Sequence, residues 1–243
     1  MKKITTPALF LILTFLTSSC YFLGGRRVHG NGHITTQERS VGSFDQVEVS
    51  GAIELYVSGG ESGPVRIETD ENLQQYVEVE QHGSVLEVRS RRGYNLRPTK
   101  KVIVHVSSPN YSRLSVSGAS NIVGQNKIHG NDRLEMHVSG AGDIRADVDA
   151  PDFKASVSGS GNIDLKGNVR DLDLEISGAG DAKCFDMMAE NTKVRISGAG
   201  SADVYASVSL DAHVSGAGGV SYKGGATKVS QQVSGAGSVK KVD

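Results

Sequence analysis

Between Arg113 and Val239, apolar residues fall at every second position, break at a Ser-Gly pair, and resume, seven times over. The copies are Val116-Ser-Gly-Ala-Ser-Asn-Ile122, Val138-Ser-Gly-Ala-Gly-Asp-Ile144, Val157-Ser-Gly-Ser-Gly-Asn-Ile163 and Ile176-Ser-Gly-Ala-Gly-Asp-Ala182, then Ile196-Ser-Gly-Ala-Gly-Ser-Ala202, Val214-Ser-Gly-Ala-Gly-Gly-Val220 and Val233-Ser-Gly-Ala-Gly-Ser-Val239. Their glycines at 118, 140, 159, 178, 198, 216 and 235 are spaced 22, 19, 19, 20, 18 and 19 residues apart. A period near 20 marks a solenoid, whose units bury apolar faces against their neighbours. Before each Ser-Gly pair the alternation is that of a strand with one face inward: Leu134/Met136/Val138, Phe153/Ala155/Val157, Leu172/Leu174/Ile176, Leu210/Ala212/Val214. A second inward set follows the glycine (Ile122, Ile144, Ile163, Ala182, Ala202, Val220, Val239), and a third is expected near Ile128, Val148, Val169, Met187 and Val208. Three short strands per coil, turned by Gly and Asx residues, predict an all-β fold: a three-sided, right-handed parallel β-helix of about 19–20 residues per coil.

The polar positions test that prediction independently. Three residues before the anchor Val or Ile stand Arg113, Glu135, Lys154, Asp173, Lys193 and Asp211, alternating in sign coil by coil. One position after the second anchor stand Arg145, Asp164, Lys183 and Asp203, alternating again. In a parallel in-register stack such residues lie about 4.8 Å apart, where unlike charges stabilise and like charges cost. Lys154 should therefore neighbour both Glu135 and Asp173. A single coil buries too few aliphatic side chains to offset the entropy of ordering it, so the ends need special treatment. Gln231 and Lys241 occupy columns that are apolar elsewhere, which suits a terminal coil.

The first twenty residues follow a different pattern. Lys2-Lys3, an apolar run from Ala8 to Leu16 and Thr17-Ser18-Ser19-Cys20 have the layout of a secretory signal. The run is shorter than the roughly 20 residues of a membrane span. Its end resembles the lipobox of bacterial lipoproteins, although Thr17 stands where Leu, Val or Ile is usual. That resemblance implies lipidation at Cys20 and attachment to the membrane through the acyl chains, in the outer membrane since Tyr21 rather than Asp follows. Residues 21–32 read as an unpatterned tether, 33–111 as an N-terminal β region, and 112–243 as the regular repeat. Cys184 is the sole remaining cysteine. It lies in the apolar column Ala146, Leu165, Cys184, Val204, Tyr222, and reads as a buried thiol with no disulfide partner.

In the N-terminal part, strands are expected at Val47–Val49, Ile53–Val57, Val65–Glu68, Val77–Glu80, Val85–Val88 and Val102–Val106, with one helical turn over Asp70–Tyr76. Val49-Ser-Gly-Ala-Ile53 is a shortened copy of the repeat phrase, so this region reads as an elaborated start of the same coil. With Gly30-Asn-Gly-His-Ile34, Arg39-Ser-Val-Gly-Ser-Phe44-Asp-Gln-Val47-Glu-Val49-Ser-Gly51, Asp70-Glu-Asn-Leu73 and the Ser-Gly-Ala-Gly repeats, the chain resembles the bacterial head GIN domain family of autotransporter-adhesin-like proteins over about residues 30–240. The resemblance implies a secreted or surface-associated β-helical protein, with no enzymatic activity, ligand or catalytic residue to carry over.

Candidate chemistry is sparse. The net charge is −1, or about −3 without Lys2 and Lys3, and lacks the concentrated basic footprint of nucleic-acid binding. Arg89, Arg91, Arg92, Arg97, Lys100 and Lys101 form one basic run, a candidate loop for an anionic glycan or lipid headgroup, or a solvated hairpin tip. The column Asn121, Asp143, Asn162, Asp181, Ser201 could offer oxygens to Ca²⁺, but Asx residues also cap turns through their own backbone, and no metal site is expected. His137 and His213 share a column four coils apart and cannot share a metal. His29 and His33 lie in or beside the tether. Asp164, Asp173, Asp203 and Asp211 sit beside cations, the pattern of surface ion pairs rather than of a catalytic carboxylate pair. No cofactor and no catalytic residue are expected. The sequence reads as a lipid-anchored envelope protein that binds a protein or glycan partner, with envelope sensing or scaffolding, and then a polysaccharide-active enzyme, as the alternatives.

Overall fold

The computed structural model describes residues 25–243; Cys20 and the signal segment lie outside them. Strands β1 (Arg26–His29), β2 (Ile34–Arg39), β3 (Gln46–Gly51), β4 (Ile53–Gly59) and β5 (Val65–Asp70) lead to a 3-10 turn, Glu71–Tyr76. Then come β6 (Val77–His82), β7 (Val85–Ser90), β8 (Tyr94–Arg97) and β9 (Val102–Ser108). The repeats follow as β10 (Arg113–Gly118), β11 (Asn121–His129), β12 (Arg133–Gly140), β13 (Ile144–Gly159), β14 (Ile163–Gly178) and β15 (Asp181–Cys184). The chain finishes with β16 (Met187–Gly198), β17 (Ser201–Tyr205), β18 (Ser209–Gly216), β19 (Gly219–Lys223), β20 (Lys228–Gly235) and β21 (Ser238–Lys241). All six strands expected in the N-terminal region are present. β13 and β14 each carry two of the expected strands as one continuous 16-residue element.

The fold is a parallel β-solenoid, and its register is the one that the charge columns demand. Arg113 pairs with Glu135, Glu135 with Lys154, Lys154 with Asp173, Asp173 with Lys193 and Lys193 with Asp211. Arg145, Asp164, Lys183 and Asp203 stack likewise. The ion pairs are partly diagonal. Arg113 meets Glu135 at 3.0 Å, whereas Lys154 reaches Glu175 at 3.2 Å, and Arg195 bridges Asp173 and Glu175. Long side chains thus choose between the opposite and the next residue, both within reach across a sheet.

Inside, one core runs without interruption from Phe44 to Tyr222, across the 111/112 boundary. Its central column is Leu86, Val47, Leu114, Met136, Ala155, Leu174, Val194, Ala212 and Gln231. The order of that column departs from chain order. β7 and β9 pair with the outer sides of β3 and β4, so the coil formed by residues 85–108 lies beyond the one formed by 46–59. The chain then crosses back to start β10 on the far side of β3. Tyr111 sits at this crossing, fully buried, donating its hydroxyl to the Ser58 carbonyl at 2.8 Å and packing on Phe44. Antiparallel strands close this end: β6 runs along β7, β5 along β9, and β2 along β5. They cover parallel edges that would otherwise offer unpaired backbone to another chain.

The third apolar column is not the single one expected. Ile128 and Val148 stack with Gly167 and Met187, while Val169 pairs with Ala150 and Ala189, and Val208 is 43% exposed. Coils of 18 to 22 residues share two fixed sides, so their length differences are absorbed on the third. The expected tether also has structure. Arg26–His29 form a strand parallel to β8, with Arg26 beside Tyr94 and His29 beside Arg97; four residues are too few for a periodic pattern to be visible.

Candidate functional site

At the capped end, two sequence motifs some 40 residues apart prove to be halves of one clasp. Asp70, at the end of β5, is fully buried and accepts N–H bonds from Gly32 at 2.7 Å and Thr99 at 2.9 Å, and the Thr99 hydroxyl at 2.7 Å. Burial pushes its pKa up, but these donors outweigh burial and hold it below the ordinary value. Gly30 must be glycine, because a Cβ there would lie 2.3 Å from the Asp70 carboxylate. Asn72 completes the clasp, accepting from the Asn31 N–H at 3.0 Å and donating to the His29 carbonyl at 2.8 Å. Gly30-Asn-Gly-His33 and Asp70-Glu-Asn-Leu73 are therefore structural motifs.

The basic run is divided by the fold. Arg89 is held by Glu78, Glu80 and Glu87 at 2.8–3.0 Å, Arg91 by Glu78 at 2.8 Å, and Lys101 by Glu54. Hydrogen bonds from Arg91 and Arg89 keep the Glu78 carboxyl below its usual range, and Lys101, then Tyr56, do the same for Glu54. Arg92, Arg97 and Lys100 are exposed and make no ion pair among the described residues. The fold thus divides the six positions: three are engaged by acids of β4, β6 and β7, and three stay exposed.

Along the repeats, two outer faces have shape. On the first side, β13, β14, β16, β18 and β20 line an open groove of about 630 Å³. It is lined by the in-register Ser158, Ser177, Ser197, Ser215 and Ser234, by Ser156, Glu175, Arg195, His213 and Gln232 one outward column away, and by Val157, Ile176, Ile196 and Val214 between the two columns. Arg195 bonds Glu175 at 3.1 Å, whereas His213 Nδ1 lies 3.3 Å from Asp211 without making a hydrogen bond. Above the groove, Glu135 is buried enough to raise its pKa, yet the bonds from His137 and Arg113 hold it low. This serine column is visible in the repeat phrase as the residue before each glycine, but the phrase alone does not show that the serines line a groove.

On the second side, a polar groove of about 400 Å³ is lined by Glu54, Lys101, Asn121, Asp143, Arg145, Asn162, Asp164, Asp181 and Lys183. Its Asx column is a ladder. Each side chain accepts the backbone N–H of the next coil: Asp143 to Asn121 at 2.9 Å, Asn162 to Asp143 at 2.9 Å, Asp181 to Asn162 at 3.2 Å, Ser201 to Asp181 at 3.1 Å. These oxygens link coils rather than capping their own turns, and that use competes with binding Ca²⁺. Among the described residues, Glu80, His82 and Glu87 are grouped closely enough to hold a metal, but Arg89 already bonds both carboxylates. Cys184 is fully buried, and burial pushes its thiol up to about 12.

A family model described as a putative auto-transporter adhesin, head GIN domain, matches residues 43–226. No curated protein matches the chain. Among solved structures, a putative adhesin from Bacteroides fragilis superposes with a TM-score of 0.82 at 21% identity, covering 88% of this chain and all of its own. A putative adhesin from Parabacteroides merdae gives 0.71 at 27% identity, covering 90% and 100%. A putative lipid binding protein from Parabacteroides distasonis gives 0.74 at 24%, again covering 90% and 100%. None of the described residues forms a helix long and apolar enough to cross a membrane.

Proposed function

Since the chain belongs to the head GIN domain family of putative auto-transporter adhesins, we propose that it is a lipid-anchored envelope protein that holds a glycan or protein partner against the serine-lined side of its solenoid. The observation that carries this reading is the groove of about 630 Å³ spanning five coils, with one hydroxyl per coil at the interstrand repeat. Such a column donates and accepts hydrogen bonds at regular steps, which suits an extended polar chain. Glu175, the one carboxylate lining this groove among the described residues, is paired with Lys154 and Arg195, which favours binding over hydrolysis, because a glycosidase needs a free acid and a free carboxylate facing one another. Attachment through acylated Cys20 is supported by the lipobox-like run that ends there.

The test is retention of the purified protein on a glycan array and on immobilised surface proteins from the same cells. Ser197→Arg places a bulky cation in the groove, outside the core. It should reduce retention roughly ten-fold or more, the loss expected when a contact surface is sterically blocked, with the unfolding midpoint unchanged. Retention that survives Ser197→Arg removes this side from the proposal. Turnover of a polysaccharide abolished by Asp143→Ala would replace the binding reading by an enzymatic one. The intact mass of the mature protein decides the anchor, and added protease on intact cells decides whether the solenoid is outside.

A further inference from the structure

We infer that the outer face of the small β1–β8 sheet is a contact surface for anionic phospholipid headgroups, a reading that rests on Cys20 being the point of membrane attachment. Alternation along the paired strands puts Val28 and Leu96 on one side, and Leu96 packs against the core. Arg27, Asn95, His29 and Arg97 therefore share the opposite side. Arg27 and Arg97 are exposed there; Arg26, on the other side of β1, and Arg92 and Lys100, on either side of β8 in sequence, are exposed as well. None of these five cations makes an ion pair among the described residues, although Arg89, Arg91 and Lys101 nearby are all neutralised. The acids beside the sheet are occupied: Asp70 is enclosed by Gly32 and Thr99, and Glu71 faces His33. The fold has paired off Arg89, Arg91 and Lys101 and left Arg27 and Arg97 unpaired on one face of this small sheet.

The length of chain leading to that surface identifies what it meets. Six residue steps separate Cys20 from Arg26, at most about 20 Å when extended. The clasp of Gly30 and Gly32 on Asp70 prevents the sheet from peeling away to lengthen this reach. An anchored molecule would thus hold Arg27 and Arg97 within a few screening lengths of the lipid phosphates. Guanidinium groups bond phosphate oxygens in a bidentate manner, and each arginine near an anionic surface changes partition by about five-fold.

Sedimentation of the full chain carrying Cys20→Ser with phosphatidylcholine–phosphatidylglycerol vesicles isolates this contact from the anchor. Binding should require the anionic lipid and weaken as salt rises. Arg27→Gln with Arg97→Gln should lower it about 25-fold. Lys228→Gln with Lys240→Gln, at the opposite end of the stack, should leave it within about two-fold after pelleting without vesicles is subtracted, since those cations would face away. Equal binding to pure phosphatidylcholine, an unchanged Arg27/Arg97 variant, or an equal loss from the Lys228/Lys240 variant overturns the proposal. So does capture by heparin or competition by inorganic phosphate without vesicle binding, which would make the face a soluble-anion site. If the mature protein's mass shows no acyl chain, the anchor reading fails on its own, while the vesicle result for this face is read separately.

Discussion

Burial alone would favour a protonated Asp70, and three converging donors reverse that preference. Because its folded pKa lies below the ordinary value of 3.8, its contribution to stability is complete above that value and fades as pH falls through it toward the folded pKa. Asp70→Asn turns an NH₂ toward donors that it cannot satisfy, and should cost about 1–3 kcal/mol at pH 7 by urea unfolding. The difference from wild type should shrink at pH 3. Cys184 behaves oppositely. With its pKa near 12, only about one thiol in ten thousand is ionised at pH 8, so Ellman's reagent should react only after denaturant exposes the core. Neither half of the clasp is legible alone in the sequence. Gly30 becomes informative once Asp70 is known to lie where its Cβ would be.

Strand pairing is the scale at which the sequence was most readable. Alternating charges with the repeat period can only stack in one register, and the backbone ladder adopts it. Lys154→Glu would set an acid among Glu135, Asp173 and Glu175, and should cost about 1 kcal/mol, less at high salt. The repeat glycines are held more tightly. A Cβ on Gly159, whose φ is +125°, would approach the Gly140 carbonyl oxygen to 2.4 Å. Gly159→Ala should therefore cost on the order of 2–4 kcal/mol, read as a lower urea midpoint. What alternation could not reveal was the order of the first coils. β7 and β9 lack the Ser-Gly phrase, and nothing local distinguishes a strand laid outside an earlier coil from one laid after it. The third apolar column was misjudged for a related reason, since it is where coils of unequal length differ. How the basic run divides into paired and exposed cations was not legible, because Lys101 finds Glu54 on β4, 47 residues away.

Across the whole molecule the two ends are unlike. One is closed by antiparallel strands, while β20 is exposed throughout its length, with Val229 and Val233 at 40% and 42%. Gln231 and Lys241 stand where the core column would continue. Charges on an open edge discourage pairing with another chain. Replacing Lys228, Lys240 and Lys241 with Thr should accordingly produce concentration-dependent dimers or larger species by light scattering, without loss of secondary structure by circular dichroism.

That asymmetry also confers a direction on change. A further nineteen-residue turn could be laid on the free rim without disturbing Asp70, Tyr111 or the strands that close the base, whereas no turn can be added beneath them. Each would raise the tip by one strand spacing, about 4.8 Å, beyond the roughly 38 Å that eight such steps from Leu86 to Gln231 already span. Copy number of a single phrase would then act as a ruler, setting how far the rim stands from its footing while the footing itself stays the same.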